Sequence, residues 1–162
     1  MLSEITSLAR AAETNPPLIP RGSPSAEATL SYHEWQEVLR ILRAHLYELQ
    51  HNEFLQHEAQ RFSQWFEDLP IPREIPKGAR SDPYTVTLSP EDWRRVWRSL
   101  SRWFEQRSNS EHEEAAFQRR YYGQRELEDP RLREQHRLQY RLDTLRAKAA
   151  ATKIPRPLDF VS

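Results

Sequence analysis

Thr87-Leu88-Ser89-Pro90-Glu91-Asp92-Trp93-Arg94-Arg95-Val96-Trp97-Arg98-Ser99-Leu100 is the stretch whose reading decides the fold. It has an ungapped echo 58 residues earlier, Thr29-Leu30-Ser31-Tyr32-His33-Glu34-Trp35-Gln36-Glu37-Val38-Leu39-Arg40-Ile41-Leu42. Thr, Leu, Ser, Trp, Val, Arg and Leu coincide, and Glu34 stands where Asp92 does. Upstream, Ile19-Pro20-Arg21-Gly22 is answered by Ile75-Pro76-Lys77-Gly78. The chain reads as an internal duplication.

Each copy spells a helix entrance. Ser31 and Ser89 are in N-cap position, where a hydroxyl accepts from an unpaired backbone N–H. Glu34 completes a capping box, and Asp92 is its shorter equivalent. Leu30 and Leu88 precede the caps, with Trp35 and Trp93 four residues into the helices; that is the spacing of a hydrophobic staple. Pro90 at the first helical position loses only an N–H that has no partner there.

Working outward, Trp35, Val38, Leu39, Leu42, Leu46 and Leu49 form one helical stripe, and its phase slips at Gln50-His51-Asn52. A new stripe runs through Leu55, Ala59, Phe62, Phe66 and Leu69. The duplication aligns Asn52 with Ser110, just after Arg107-Ser108-Asn109. Each copy is therefore expected to be a helical hairpin, 32–50 with 53–68 and 90–107 with 111–128. Trp93, Val96, Trp97, Leu100, Trp103 and Phe104 make an aromatic face, answered by Ala115, Ala116, Phe117, Tyr121 and Tyr122. Asp129-Pro130 caps a last helix to about Ala151, with Leu138, Leu142, Leu145 and Ala149 at heptad spacing.

The expected fold is all-α: two duplicated hairpins in a four-helix arrangement, with a basic C-terminal helix and extended Pro-rich arms. The segments are 1–28 (a short helix and an arm), 29–69 (first hairpin), 70–86 (Pro-rich connector), 87–128 (second hairpin), 129–152 (basic helix) and 153–162 (second arm). Within the connector, Tyr84-Thr85-Val86-Thr87 has the β-branched and aromatic content of an extended strand. Three Gly against twelve Pro argue against an all-β chain, because few positions can take positive φ.

At 162 residues, with 37% hydrophobic content, one domain is expected. Five Trp, six Phe and six Tyr supply large side chains for a core. With no Cys, disulfides and thiolate metal sites are excluded. Neither a secretory signal nor an apolar run of about 20 residues is visible, which points to a cytoplasmic or virion setting without membrane insertion. The net charge of zero conceals polarity. Residues 1–69 hold five Arg against ten acids, and residues 119–156 hold eleven Arg or Lys against five. Such polarity suits pairing between halves, head-to-tail association, or an anionic partner for the basic end.

Catalytic signals are absent. Three isolated Gly cannot form a phosphate loop, and no Ser, His or Asp lies in a nucleophile context. Glu48-Leu49-Gln50-His51 has the E-x-x-H spacing of helical di-iron proteins, which need two such motifs and two further Glu. Glu53 and His57 are four apart, but His57 aligns with Ala115, so the pair is not duplicated. We expect no enzyme, cofactor, metal or small-molecule substrate.

Two interaction elements remain. Leu18 and Ile19 in the first arm, and Ile154, Leu158 and Phe160 in the second, are apolar anchors for extended docking onto protein subunits of a larger assembly, a homo-oligomer or a virion component. The alternative is nucleic acid held by Arg133, Arg137, Arg141 and Lys148, a ridge beside the leucine stripe with Arg residues about 6 Å apart.

Overall fold

The computed structural model describes residues 2–120 and 130–158. Among these residues, five α-helices and one two-stranded antiparallel sheet make a mixed α/β architecture, not an all-α one. The elements are α1 (Leu2–Ala12), β1 (Ala26–Ser31), α2 (Tyr32–Gln50), α3 (Gln56–Asp68), β2 (Pro83–Leu88), α4 (Pro90–Arg120) and α5 (Pro130–Ala151). A single 3-10 turn, Glu53–Leu55, joins α2 to α3. Phe160, Tyr121, Tyr122 and the Asp129 cap lie outside the described residues.

The strands explain the correction. The Thr-Leu that leads to each cap lies in a strand, which ends at Ser31 in the first copy and at Leu88 in the second, and the two copies pair with each other. Ala28 lies opposite Val86, its own counterpart in the repeat. A shift of 58 residues turns the pair Ala26–Leu88 into the pair Leu30–Tyr84, both present in the register. The duplication thus closes about a pseudo-two-fold axis through the sheet centre. Ala28, Leu30, Val86 and Leu88 point into the core, while Glu27, Thr29, Thr85 and Thr87 face out, the period-2 pattern of a half-buried strand. Thr29 and Thr85 meet across the outer face, hydroxyl to hydroxyl at 2.8 Å.

The two tryptophans at the helix entrances lock this arrangement. Trp35 donates its indole N–H to the Tyr84 carbonyl at 2.8 Å, and Trp93 donates to the Ala26 carbonyl at 2.9 Å. Tyr84 and Ala26 are themselves repeat counterparts, so each copy latches the strand of the other. Both Trp side chains are fully buried, with Leu30 and Leu88 stapled beside them. Val38, Leu39, Leu42, Val96, Trp97 and Leu100 extend the shared core along α2 and α4.

The helix caps form, with one substitution of partner. The Glu34 carboxylate accepts from the Ser31 N–H at 3.0 Å and from its hydroxyl at 2.9 Å. Ser89 Oγ accepts from the Asp92 N–H at 3.2 Å. The Asp92 carboxylate is turned elsewhere, to the indole N–H of Trp65 on α3 at 2.9 Å. The upstream echo is conformational as well. Gly22 and Gly78 have φ of 79° and 78°, the third-position requirement of a type II turn, and each turn closes on its Pro carbonyl, Pro20 or Pro76.

The expected second hairpin is corrected. α4 continues as one helix through Arg107-Ser108-Asn109-Ser110 to Arg120. The first copy turns because Asn52 Oδ1 accepts from the Phe54 N–H at 2.9 Å, and because Gln56 donates its amide to the carbonyls of Gln50 and Asn52. Ser110 and Glu114 occupy those positions in the second copy, and a Glu carboxylate has no N–H to donate. Arg107 instead ties the helix to α5. It pairs with Asp143 at 2.8 Å and lies over the Trp103 and Tyr140 rings at 4.5 and 3.9 Å. The four-helix arrangement is therefore replaced. α2 packs against α3, α4 and α5, and α1 packs against α5.

Replacing Trp93 with Phe leaves the half-buried Ala26 carbonyl without its indole donor, at a cost of about 1 kcal/mol before any packing loss. Trp35→Phe is expected to cost the same within error, since the latches are equivalent. Urea unfolding of both variants checks this; a large inequality would show that one latch does not bear on stability.

Candidate functional site

Pro-rich segments cannot join a helix, so each arm must find partners for its backbone elsewhere. The two arms find each other. Leu18 and Arg156 form a parallel β-bridge, with the Ile19 N–H donating to the Arg156 carbonyl at 2.9 Å and the Arg156 N–H to the Pro17 carbonyl at 2.8 Å. The second arm is also strapped to the body. Trp97 donates its indole N–H to the Pro155 carbonyl at 2.8 Å, and the Arg156 guanidinium lies over the Trp97 ring at 4.8 Å. Lys153 pairs with Glu34 at 2.8 Å.

This pairing divides the four described arm residues read as anchors. Ile19 and Ile154 are buried in the chain's own core. Leu18 and Leu158 stay on the surface, at 53% and 39% exposure. Phe160 is outside the described residues.

The basic helix presents its ridge to solvent. Arg137, Arg141 and Lys148 are exposed on one side of α5, with Leu138 and Leu145 half-buried alongside. Arg133 falls on the same helix, with its side chain outside the described part. Glu134 approaches Arg137 only at 3.9 Å. Among the described residues, no acid pairs with Arg141 or Lys148. Elsewhere on α5 the charges are used internally. Arg146 pairs with Glu4 of α1 at 2.7 Å, and Asp143 joins Arg40 at 3.1 Å as well as Arg107. The Arg146 hydrogen bond to Glu4 holds that carboxyl below the usual range.

A third surface was not read from the sequence. At the turn between α2 and α3, Phe54 is 88% exposed and Tyr47 61%. Both sit far off the apolar stripes of their segments, and that off-stripe placement of aromatics was the available signal. The turn is held in place by the Asn52 and Gln56 bonds, and the His51 ring packs on Tyr47 at 3.9 Å while bonding the Tyr47 carbonyl. Glu53 and Glu58 flank Phe54 and are exposed, with no cation in ion-pair distance among the described residues.

The E-x-x-H residues do not converge. Glu48 faces Arg102 at 2.9 Å and Gln106, and His51 turns to Tyr47. Among the described residues, no three His, Asp or Glu side chains gather as a metal site requires. One polar pair, a buried Ser99 with a half-buried His45, stands at the edge of the core. Ser99 stands where the first copy has Ile41, and its hydroxyl bonds His45 Nδ1 at 2.7 Å. His45 also packs edge-on against Phe62 of α3 at 4.9 Å. Burial, reinforced by the Arg102 charge, pushes the His45 pKa below 6.5. No helix among the described residues is long and apolar enough to cross a membrane. No protein-family model, curated protein or solved structure matches this chain.

Because folding lowers the His45 pKa, the unfolded chain binds the extra proton more readily. His45 thus supports stability fully above its unfolded value of about 6.5 and withdraws that support as pH falls toward the lower folded value. Urea midpoints measured from about pH 7.5 to about pH 5 are expected to fall for the wild type, and to fall less for His45→Gln. Equal slopes in the two proteins would remove His45 as the cause.

Proposed function

We propose that this protein is a non-catalytic structural component that docks neighbouring subunits of a larger assembly, with a virion as one fitting setting. The observation that carries the reading is the state of the arms. Extended segments normally lose entropy on docking, which costs affinity. Here the described parts of the two arms lie against the body and against each other, and Leu18 and Leu158 remain outward. Ile19 and Ile154 fix the arms to their own chain, so the neighbour meets a preformed surface rather than a free peptide.

The exposed Arg137, Arg141 and Lys148 favour a second reading, a nucleic-acid-binding accessory protein. Phosphate contact through such a ridge would be independent of sequence and would weaken steeply with salt. Titration of labelled duplex DNA against the full chain at two salt concentrations separates this reading from the first.

For the assembly reading, the full chain is tagged in its native cells, cross-linked and purified with its neighbours. Leu18→Asp/Leu158→Asp is expected to keep the wild-type circular dichroism melt and to lose most of the cross-linked neighbours. Recovery of the same neighbours in the same amounts would reject the arm surface.

A further inference from the structure

Two exposed surfaces on this chain are complementary, and no ion pair among the described residues brings them together. The first is the tip of the α2–α3 turn. Phe54 and Tyr47 are exposed aromatics, the exposed acids Glu53 and Glu58 stand within four residues of Phe54, and the Asn52 and Gln56 hydrogen bonds fix the turn. The second is the outer side of α5. Arg137, Arg141 and Lys148 form a basic ridge, and Leu138 and Leu145 give it an apolar flank. The wider elements carry the same signs. α2, the turn and α3 together, with Leu69, hold three Arg against seven acids, while α5 holds six Arg or Lys against two.

We infer that the turn tip of one molecule docks on the outer side of α5 of a second copy, in a head-to-tail contact. Phe54 would enter beside Leu138 and Leu145, and Glu53 and Glu58 would face Arg137 and Arg141. Exposed aromatics on a hydrogen-bonded turn, with acids beside them, suit an interaction hot spot, and complementary charges set its register and speed its formation. The two surfaces are different patches, so the contact does not close on itself as an isologous dimer does. It propagates into a ring or a filament. The inference rests on the assembly reading and names the chain itself as one neighbour, through surfaces other than the arms.

The test is light scattering on the purified full chain over a concentration series, at low salt and at about 1 M salt, where the screening length is about 3 Å. At low salt the mass is expected to rise with concentration above the 19.4 kDa of one chain, and to return to it at high salt. Phe54→Ala, at a side chain that is 88% exposed, should weaken association about tenfold. Glu53→Arg/Glu58→Arg and Arg137→Glu/Arg141→Glu should each stay monomeric alone and assemble when mixed, since each then supplies the charge the other lacks. A wild-type monomer throughout the series overturns the inference, as does a mixture that fails to assemble. Extra mass that disappears on nuclease treatment also overturns it and assigns the ridge to nucleic acid. The arm variant is scored separately in cells, so either proposal can fail without the other.

Discussion

The indole N–H bonds of Trp35 and Trp93 are the constraint on which the rest of the structure depends. Each reaches from the start of one long helix to a carbonyl of the opposite copy's strand. A helix entrance and a strand are thereby fixed in one step, and the pseudo-two-fold relation between the copies follows. Without these bonds the two strands would be an isolated ribbon, which is marginal in water. With them, the inner faces of both strands and of α2 and α4 share one core, and strand pairing no longer has to carry its own stability.

A core placed on the axis leaves the distal ends of the copies free to differ, and they do. In the first copy, amide and Asx hydrogen bonds turn the chain back as α3. In the second, the helix runs on, and Arg107 spends its charge and its flat face on Asp143, Trp103 and Tyr140. Trp65 of the first copy reaches across to Asp92 of the second, the residue that stands where Glu34 completes the first capping box. The symmetry is thus strongest at the sheet and decays outward. The surfaces with interaction potential, the turn tip and the outer side of α5, lie where it has decayed.

Much of this architecture was legible because it is written as local pattern. The caps at Ser31 and Ser89, the staple pairs, the turn at Gln50–Asn52 and the bounds of α5 all rest on spacings of a few residues. What was not legible depended on distant partners. Ala26–Ser31 carries weak β signal by itself, and becomes a strand because Pro83–Leu88 lies across the axis from it. The Tyr84–Thr87 segment did carry that signal, and transferring it through the repeat would have exposed the sheet. The continuity of α4 depends on α5, a partner the repeat does not contain. The arms divided in the same way. Alternation along an extended chain predicts that Leu18 and Ile19 face opposite sides, but not which side the body takes.

The charge polarity is now partly accounted for, and the remainder is informative. Glu34 is held below its usual pKa although partial burial works to raise it; the Lys153 ammonium and the Ser31 donors outweigh that burial. Lys153 and Arg146 thus use basic charge from the C-terminal end on acids of the N-terminal half. The Arg146–Glu4 pair is largely solvated, and solvated pairs contribute little to holding a fold; in the other pair Glu34 is mostly covered while Lys153 stays half-exposed. The arm is secured instead by Ile154 in the core and by Trp97 on the Pro155 carbonyl. Folding therefore needs few of the charges that separate the two ends of this chain. Arg141 and Lys148 on one side, and Glu53 and Glu58 on the other, form no ion pair among the described residues, and a separation of charge that stability does not require is suited to bringing molecules together in a fixed order.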